Sequence, residues 1–264
     1  MNEELRQKLK GTIEEAITNF FYNKEVKVTH VLDRIFPAER RIRSLIGGLE
    51  TSIGTTIWEP IARLLAKHNG FSQVENKLLM PSPFPPSLYE TLNECRRLRE
   101  NRASRLHMEE CVRRLKEKAA SIDRGGLTYV KPPPGKGVDI YLAKGGREYA
   151  FDIKTVQINQ SGGLSLNLQL LEWYAYRFCR DPSVDFEARI AFPFNPFPRD
   201  WWEANGGRAY PLEKGKDAWV QEEFWSFLSG EQDTWKEIVN VFDELGAEGF
   251  GARFDNIFRQ DALS

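Results

Sequence analysis

The sequence predicts an α/β (α+β) fold in which a central β-sheet is flanked by helices. Three observations predict it. Apolar residues recur at helical spacing near the N-terminus, two alternating β-like runs flank a Gly-Gly pair at 145–146, and a helical segment separates that hairpin from another β-like run, ARIAFPF at 188–194.

The first helix is expected over residues 3–23, where Leu5, Leu9, Ile13, Ile17 and Phe20 fall three or four apart. Pro37 closes the segment after it. Residues 38–69 read as helical material interrupted by Gly47, Gly48 and Gly54, with Ile57, Ile61, Leu64 and Leu65 on the buried side and Asn69-Gly70 as the stop. The proline-rich run PSPFPPSLYE, Pro81 to Glu90, is excluded from a helix interior or a central strand and reads as a rigid connector. One long, charge-rich helix is then predicted from about Ser87 to Ala120, ending before Gly125-Gly126. Short β-like runs fill 127–155, a helix follows from about 167 to 178, and helical segments are expected near 217–229 and 233–245. The chain thus divides, as a single domain over 1–264, into a mainly helical part (1–120), a β core (121–195) and a helical, Trp-rich part (196–264). Core packing accounts for most of the tryptophans, with recognition or dimerisation as the other role.

The 264 residues are 41% hydrophobic and 28% charged, with a formal net charge of −1, so a protein that coats nucleic acid by bulk electrostatics is excluded while a local basic surface is not. Cys95, Cys111 and Cys179 are odd in number and far apart, which removes a disulfide framework or a CxxC zinc site. No apolar run is long enough to span a bilayer, and the N-terminus lacks the core of a signal peptide; a cytoplasmic protein is expected. His30, His68 and His107 are isolated, PPPGKGVD lacks Walker A spacing, and no G-x-S-x-G elbow occurs.

The chemistry concentrates in GVDIYLAKGGREYAFDIKT, Gly137 to Thr155. A two-residue Gly-Gly turn pairs Lys144 with Arg147, and that register sets Asp139 directly across from Asp152. Cross-strand Cβ atoms lie about 4.5–5.5 Å apart, and alternation puts Lys154 on the same face. Val138, Ile140, Leu142, Tyr149, Phe151 and Ile153 make the opposite, apolar face. Two carboxylates facing each other call for a counter-charge, which a divalent cation supplies. An exposed hairpin with an ordinary Asp–Lys ion pair is the plainer alternative.

Asp139 followed by Asp152-Ile153-Lys154 resembles the PD-(D/E)XK nuclease signature, with Val138 in place of the usual proline. The resemblance implies a restriction-endonuclease-like core with a mixed sheet, Mg²⁺ held by Asp139, Asp152 and the Ile153 carbonyl, and Lys154 orienting the attacking water. Leu49 to Ala66 resembles the helix before the sheet in many restriction endonucleases, which makes Glu59 the first candidate for a further acid of the catalytic and metal site, and Glu50 the second; Glu59 beside Pro60 also suits a helix N-terminus. Gln157 and Asn159 continue the parity of Lys154, and Gln169 opens QLLEWYAYR, reminiscent of a glutamine-bearing helix in these nucleases; the three are candidate DNA contacts or supports. Arg96 and Arg97 lead a run with Arg99, Arg102, Arg105, Arg113 and Arg114 that suits phosphate, although Glu94, Glu100, Glu109 and Glu110 among them make a solvated ion-paired face the simpler reading.

The segments GGLETSIGTTIWE, GVDIYLAKGGREYAFDIKT and QLLEWYAYR resemble the TdeIII family of type II restriction endonucleases. This implies Mg²⁺-dependent cleavage of double-stranded DNA at a short palindrome, GGNCC-like, by a homodimer, with a cognate methyltransferase protecting the host. A structure-specific or repair nuclease with the same core, and a catalytically silent DNA-binding module, are the alternatives.

Overall fold

The computed structural model describes residues 1–26, 30–74, 78–155, 158–159 and 161–259. It comprises two compact units, one built from Met1–His68 and Trp225–Ser264, the other from Asn69–Phe224.

In the first unit, helix α1 (Glu3–Tyr22) starts where the Asn2 side chain accepts from the Leu5 N–H at 2.8 Å, and Leu5, Leu9 and Ile13 form its buried stripe. Pro37 closes the segment after α1 and is the first residue of α2 (Pro37–Ile53), where its missing N–H costs no helical bond. The glycines do not break the helix. Gly47 and Gly48 lie within α2, and Gly54 opens a π-helical turn, Gly54–Trp58, that leads directly into α3 (Glu59–His68). The turn delivers Trp58 among Trp225, Trp235 and Phe242, with ring centroids about 6 Å away (5.9, 6.2 and 6.0 Å).

The second unit holds the sheet. Strands β1 (Ser72–Gln73), β2 (Met80–Ser82), β3 (Thr128–Val130), β4 (Ile140–Lys144), β5 (Arg147–Ile153), β6 (Asp185–Phe192) and β7 (Ala218–Val220) alternate with helices α4 (Pro86–Arg99), α5 (Met108–Ala120), α6 (Gly162–Arg180) and α7 (Trp201–Asn205). The main sheet runs β1-β4-β5-β6-β7; β1, β4 and β5 are antiparallel neighbours, whereas β5-β6 and β6-β7 are parallel, so the sheet is mixed as expected. Helix α6 is the crossover that the parallel β5-β6 pair requires. β2 and β3 form a separate two-stranded ribbon. The proline-rich run is therefore part strand. Pro81 sits opposite Tyr129 in that ribbon, where a strand with an open edge tolerates the lost donor, and Pro86 opens α4.

The single long helix expected up to Ala120 is two. After α4 the Asn101 side chain accepts from the Ala103 N–H at 2.9 Å, an Asx turn that competes with helical bonding, and α5 restarts at Met108. Likewise the segment expected to be helical from 217 begins as β7, paired with β6 through Ile190↔Ala218, before α8 (Glu222–Ser229). The tryptophan-rich part continues in the first unit with α9 (Thr234–Ala247), which buries Ile238, Val241 and Leu245, and the short α10 (Asp255–Arg259).

Both faces of the sheet centre are packed. Tyr141, Ala150, Phe186, Ala188 and Ile190 join Leu92, Leu115, Leu170 and Tyr174 of α4, α5 and α6 in one core. Val138 belongs to this core, on the side opposite to the sequence expectation, because it precedes β4 and strand alternation does not yet apply. On the other face Phe151 meets Trp219 and Phe224 at 5.8 and 5.3 Å.

Candidate active site

The β4–β5 turn is Gly145-Gly146 with φ of +61° and +83°, the conformation that matches a two-residue hairpin to strand twist and that residues with a Cβ resist. It fixes Lys144↔Arg147 and, four pairs along, Ile140↔Phe151. Asp139 leaves the ladder just before β4: its N–H donates to Phe151 O at 2.9 Å, one residue short of the predicted partner, so it is not paired directly across from Asp152 as the register predicts, although its carboxylate lies close enough to act on that of Asp152.

The carboxylates occupy different environments. Asp139 Oδ2 accepts from the Ile153 N–H at 2.7 Å, which fixes the side chain against β5. Asp152 is 4% exposed. The Lys154 ammonium, 41% exposed, lies 2.7 Å from Asp152 Oδ2 but off the direction of a hydrogen bond, and that buried oxygen has no hydrogen-bond donor among the described residues. Burial drives the Asp152 carboxyl up to about 7, opposed by the Lys154 charge and reinforced by Asp139. Asp139, Asp152 and Lys154 thus meet at the end of the sheet, where Lys154 N donates to Ala191 O at 2.9 Å after β5 and β6 finish pairing.

This donor set fits a hard divalent cation. Mg²⁺ binds through one or two carboxylates and retains several waters, and a buried carboxylate oxygen lacking a donor is the kind of atom it satisfies. Asp139, Asp152 and the Ile153 carbonyl supply two charges and a neutral oxygen. Among the described residues no group of three or more His, Cys, Asp or Glu side chains is arranged to hold a metal, so the set is two acids and backbone.

The other candidates are scattered. Glu59 is in the first unit, at the start of α3, with Oε2 2.6 Å from Arg63; Glu50 is exposed on α2. Gln157 lies outside the described residues. Asn159 is exposed and its carbonyl accepts from the Gly162 N–H at 2.9 Å. Gln169 is buried in α6 and its Nε2 finds no acceptor among the described residues. Arg96 pairs with Glu100 at 3.0 Å, Arg113 and Arg114 with Glu110, and Arg97 is exposed, which is the solvated face anticipated for this run.

Arg99 departs from that face. It is fully buried, donating to Asn167 Oδ1 at 2.6 Å, Glu213 Oε1 at 3.0 Å, Pro211 O at 3.2 Å and the Asp217 carboxylate. This network ties α4 and α6 to the loop before β7. Its one sequence signal is the Leu88, Leu92, Cys95, Arg99 stripe, which places Arg99 on the buried side of α4.

A family model described as "Type II restriction endonuclease, HinfI" matches residues 1–246. A curated relative, described as type II restriction enzyme MjaII of Methanocaldococcus jannaschii, is 22% identical over 222 residues, which cover 80% of this chain and 56% of that one. The chain therefore spans little more than half the length of that relative. No solved structure matches it. The type II restriction-endonuclease resemblance seen in the sequence agrees with these matches, and the family model that matches is HinfI, whereas the three segments quoted above resemble TdeIII.

Proposed function

Since the chain belongs to the HinfI family of type II restriction endonucleases, we propose that it hydrolyses phosphodiester bonds of double-stranded DNA at a short palindromic site, in the presence of Mg²⁺, with Asp139, Asp152 and Lys154 as the catalytic centre. One observation carries this reading: two acids, Asp139 just before β4 and Asp152 buried on β5, come together at a sheet end, with Asp152 ion-paired to a lysine two residues on.

Asp139, Asp152 and the Ile153 carbonyl would hold Mg²⁺, which when bound acidifies a coordinated water and offsets negative charge on the phosphate. Asp139 is braced by the Ile153 N–H, which fixes the direction of its carboxylate. Lys154 orients the attacking water and donates to nonbridging phosphate oxygens as charge builds on them. Its partial exposure gives its head group access to a duplex. Glu59 is proposed as a further acid of the site, with Glu50 the alternative; a Glu59→Gln enzyme with an unchanged Mg²⁺ requirement would remove it. Asn159, Gln157, Arg96 and Arg97 are proposed DNA contacts, and Gln169, being buried, a support.

A palindrome is matched by two identical subunits, so a homodimer is proposed, and self-protection calls for a methyltransferase acting on the same site in the cytoplasm of the host. No helix among the described residues is long and apolar enough to cross a membrane. A GGNCC-like target is proposed on the likeness to the TdeIII family alone.

The test is digestion of a plasmid of known sequence with and without Mg²⁺. Discrete fragments support a site-specific enzyme, whereas a smear or cutting confined to junctions and ends supports the structure-specific or repair nuclease. Asp152→Ala is expected to abolish cleavage while retaining DNA binding. Full cleavage by that variant would overturn the site assignment, and binding without cleavage by the unaltered chain would support the catalytically silent module.

A further inference from the structure

A cleft of the second unit, about 1080 Å³, is lined by Arg102, Ile158, Asn159, Asn205, Gly206, Gly207 and Arg208, with Ala204 completing its wall. It is not the acidic centre, yet the chain joins the two closely. Asn159 is five residues beyond Lys154, so their Cα atoms are at most about 18 Å apart, or some five base-pair steps of a duplex at about 3.4 Å each.

The arginines of this cleft differ from most of their neighbours. Arg99, Arg105, Arg113 and Arg114 each have a carboxylate partner. Arg102 and Arg208 are exposed and, among the described residues, have none. Arg102 is nonetheless held in place, with its guanidinium carbon 4.6 Å from the centre of the Tyr210 ring, a cation–π contact that leaves the donors at its rim unspent. Gly206 and Gly207 keep the adjoining wall free of side chains. The amino-terminal end of α6 closes the corner: Gly163 packs so tightly on the 208–210 backbone that an added Cβ would fall 2.6 Å from Arg208 O, and Ser161 contributes no side-chain cap there, so the positive end of the helix dipole is added to the two guanidinium charges.

We infer that this cleft is a phosphate-binding subsite for duplex DNA, in which Arg102 and Arg208 grip the backbone on the flank of the scissile phosphate and so set the register of the strand over Asp139 and Asp152. The inference rests on the nuclease reading proposed above. Arg102 and Arg208 are positioning residues, since they hold DNA and do not touch the reacting atoms. Backbone contacts position without reading sequence, which leaves base recognition to other groups.

The experiment measures binding of a short random-sequence duplex to the full chain carrying Asp152→Ala, which separates binding from cleavage, across about 50–200 mM salt. Arg102→Gln and Arg208→Gln are added singly. Each is expected to weaken binding about tenfold, the scale of one charged hydrogen-bonded contact, and to reduce the slope of log affinity against log salt by about 0.9, as one lost phosphate contact does. Arg102→Lys should recover the salt slope, because it restores the charge, whereas a purely structural role for the Tyr210 stack would not. Unchanged affinity and slope in both Gln variants, with the parent binding normally, would overturn the cleft assignment and leave the proposed activity standing. A loss confined to particular base sequences with the slope intact would also overturn it, in favour of base reading. Failure of the parent to bind any duplex would overturn the cleft and the nuclease reading together.

Discussion

Replacing Arg99 tests how the second unit is held together. Arg99→Met keeps much of the aliphatic stem and removes the guanidinium, leaving the Asp217 carboxylate, 1% exposed, with the Glu213 N–H at 2.9 Å as its remaining donor among the described residues. Burial already pushes the Asp217 carboxyl upward, against the pull of Arg99. Asn167 Oδ1 loses its donor as well. Removing one member of a buried ion pair costs about 3–5 kcal/mol, chiefly through the charge left behind. With a urea dependence of about 3 kcal/mol per molar, the unfolding midpoint should fall by about 1 M or more, read by tryptophan fluorescence. Arg99→Met combined with Asp217→Asn should recover at least half of that fall, because the orphaned charge is gone. A midpoint that does not move in the single variant, or a double variant as unstable as the single, would refute the reasoning.

Lys154→Ala should leave Mg²⁺ binding in place and reduce the single-turnover rate at least about a hundredfold; an unchanged rate removes Lys154 from the chemistry. Gly163→Ala should destabilise by about 1–3 kcal/mol, since its Cβ would fall 2.3 Å from Tyr210 O and 2.6 Å from Arg208 O, backbone atoms that cannot swing aside; Gly137→Ala, with nothing within 4 Å, is the control, and equal thermal midpoints for the two would contradict the packing. For Glu213, burial pushes the carboxyl up, but bonds from His107, the Met108 N–H and Arg99 outweigh it and hold it at about 2, below the usual 4.5. The stability it contributes is therefore present above pH about 4.5 and is lost as pH falls toward 2, so urea midpoints between pH 6 and 3 should decline less in Glu213→Gln than in the parent; parallel profiles would refute the assignment.

The β4–β5 hairpin was legible because it is local. One turn with positive φ at Gly145 and Gly146, together with an alternation of period two, converts residue numbers into positions, and the observed pairing of Lys144 with Arg147 and Ile140 with Phe151 is the one those rules give. Helix α6 was legible in its middle but begins earlier than expected, at Gly162, because close packing of Gly163 on residues 208–210 favours what helix propensity does not. The break between α4 and α5 carries neither Gly nor Pro; it depends on an Asx turn at Asn101 that a polar, charge-rich run does not advertise. Strand β7 escaped because three residues are too few for a periodic signal, and its partner β6 is a non-local one.

The same distinction separates the two halves of the proposed DNA surface. Asp139, Asp152 and Lys154 are brought together by fifteen or so residues of chain, at the end of a sheet whose two faces are packed. Arg102 and Arg208 come from segments about a hundred residues apart and become neighbours through Tyr210 and the Arg99 network. A run of arginines reads alike in sequence whether a residue is buried against Asp217, paired with Glu110 on the surface or open to a cleft. Which of the three holds is decided by carboxylates supplied from elsewhere in the chain, and for that reason the arginines that lack one are where an external anion is to be sought.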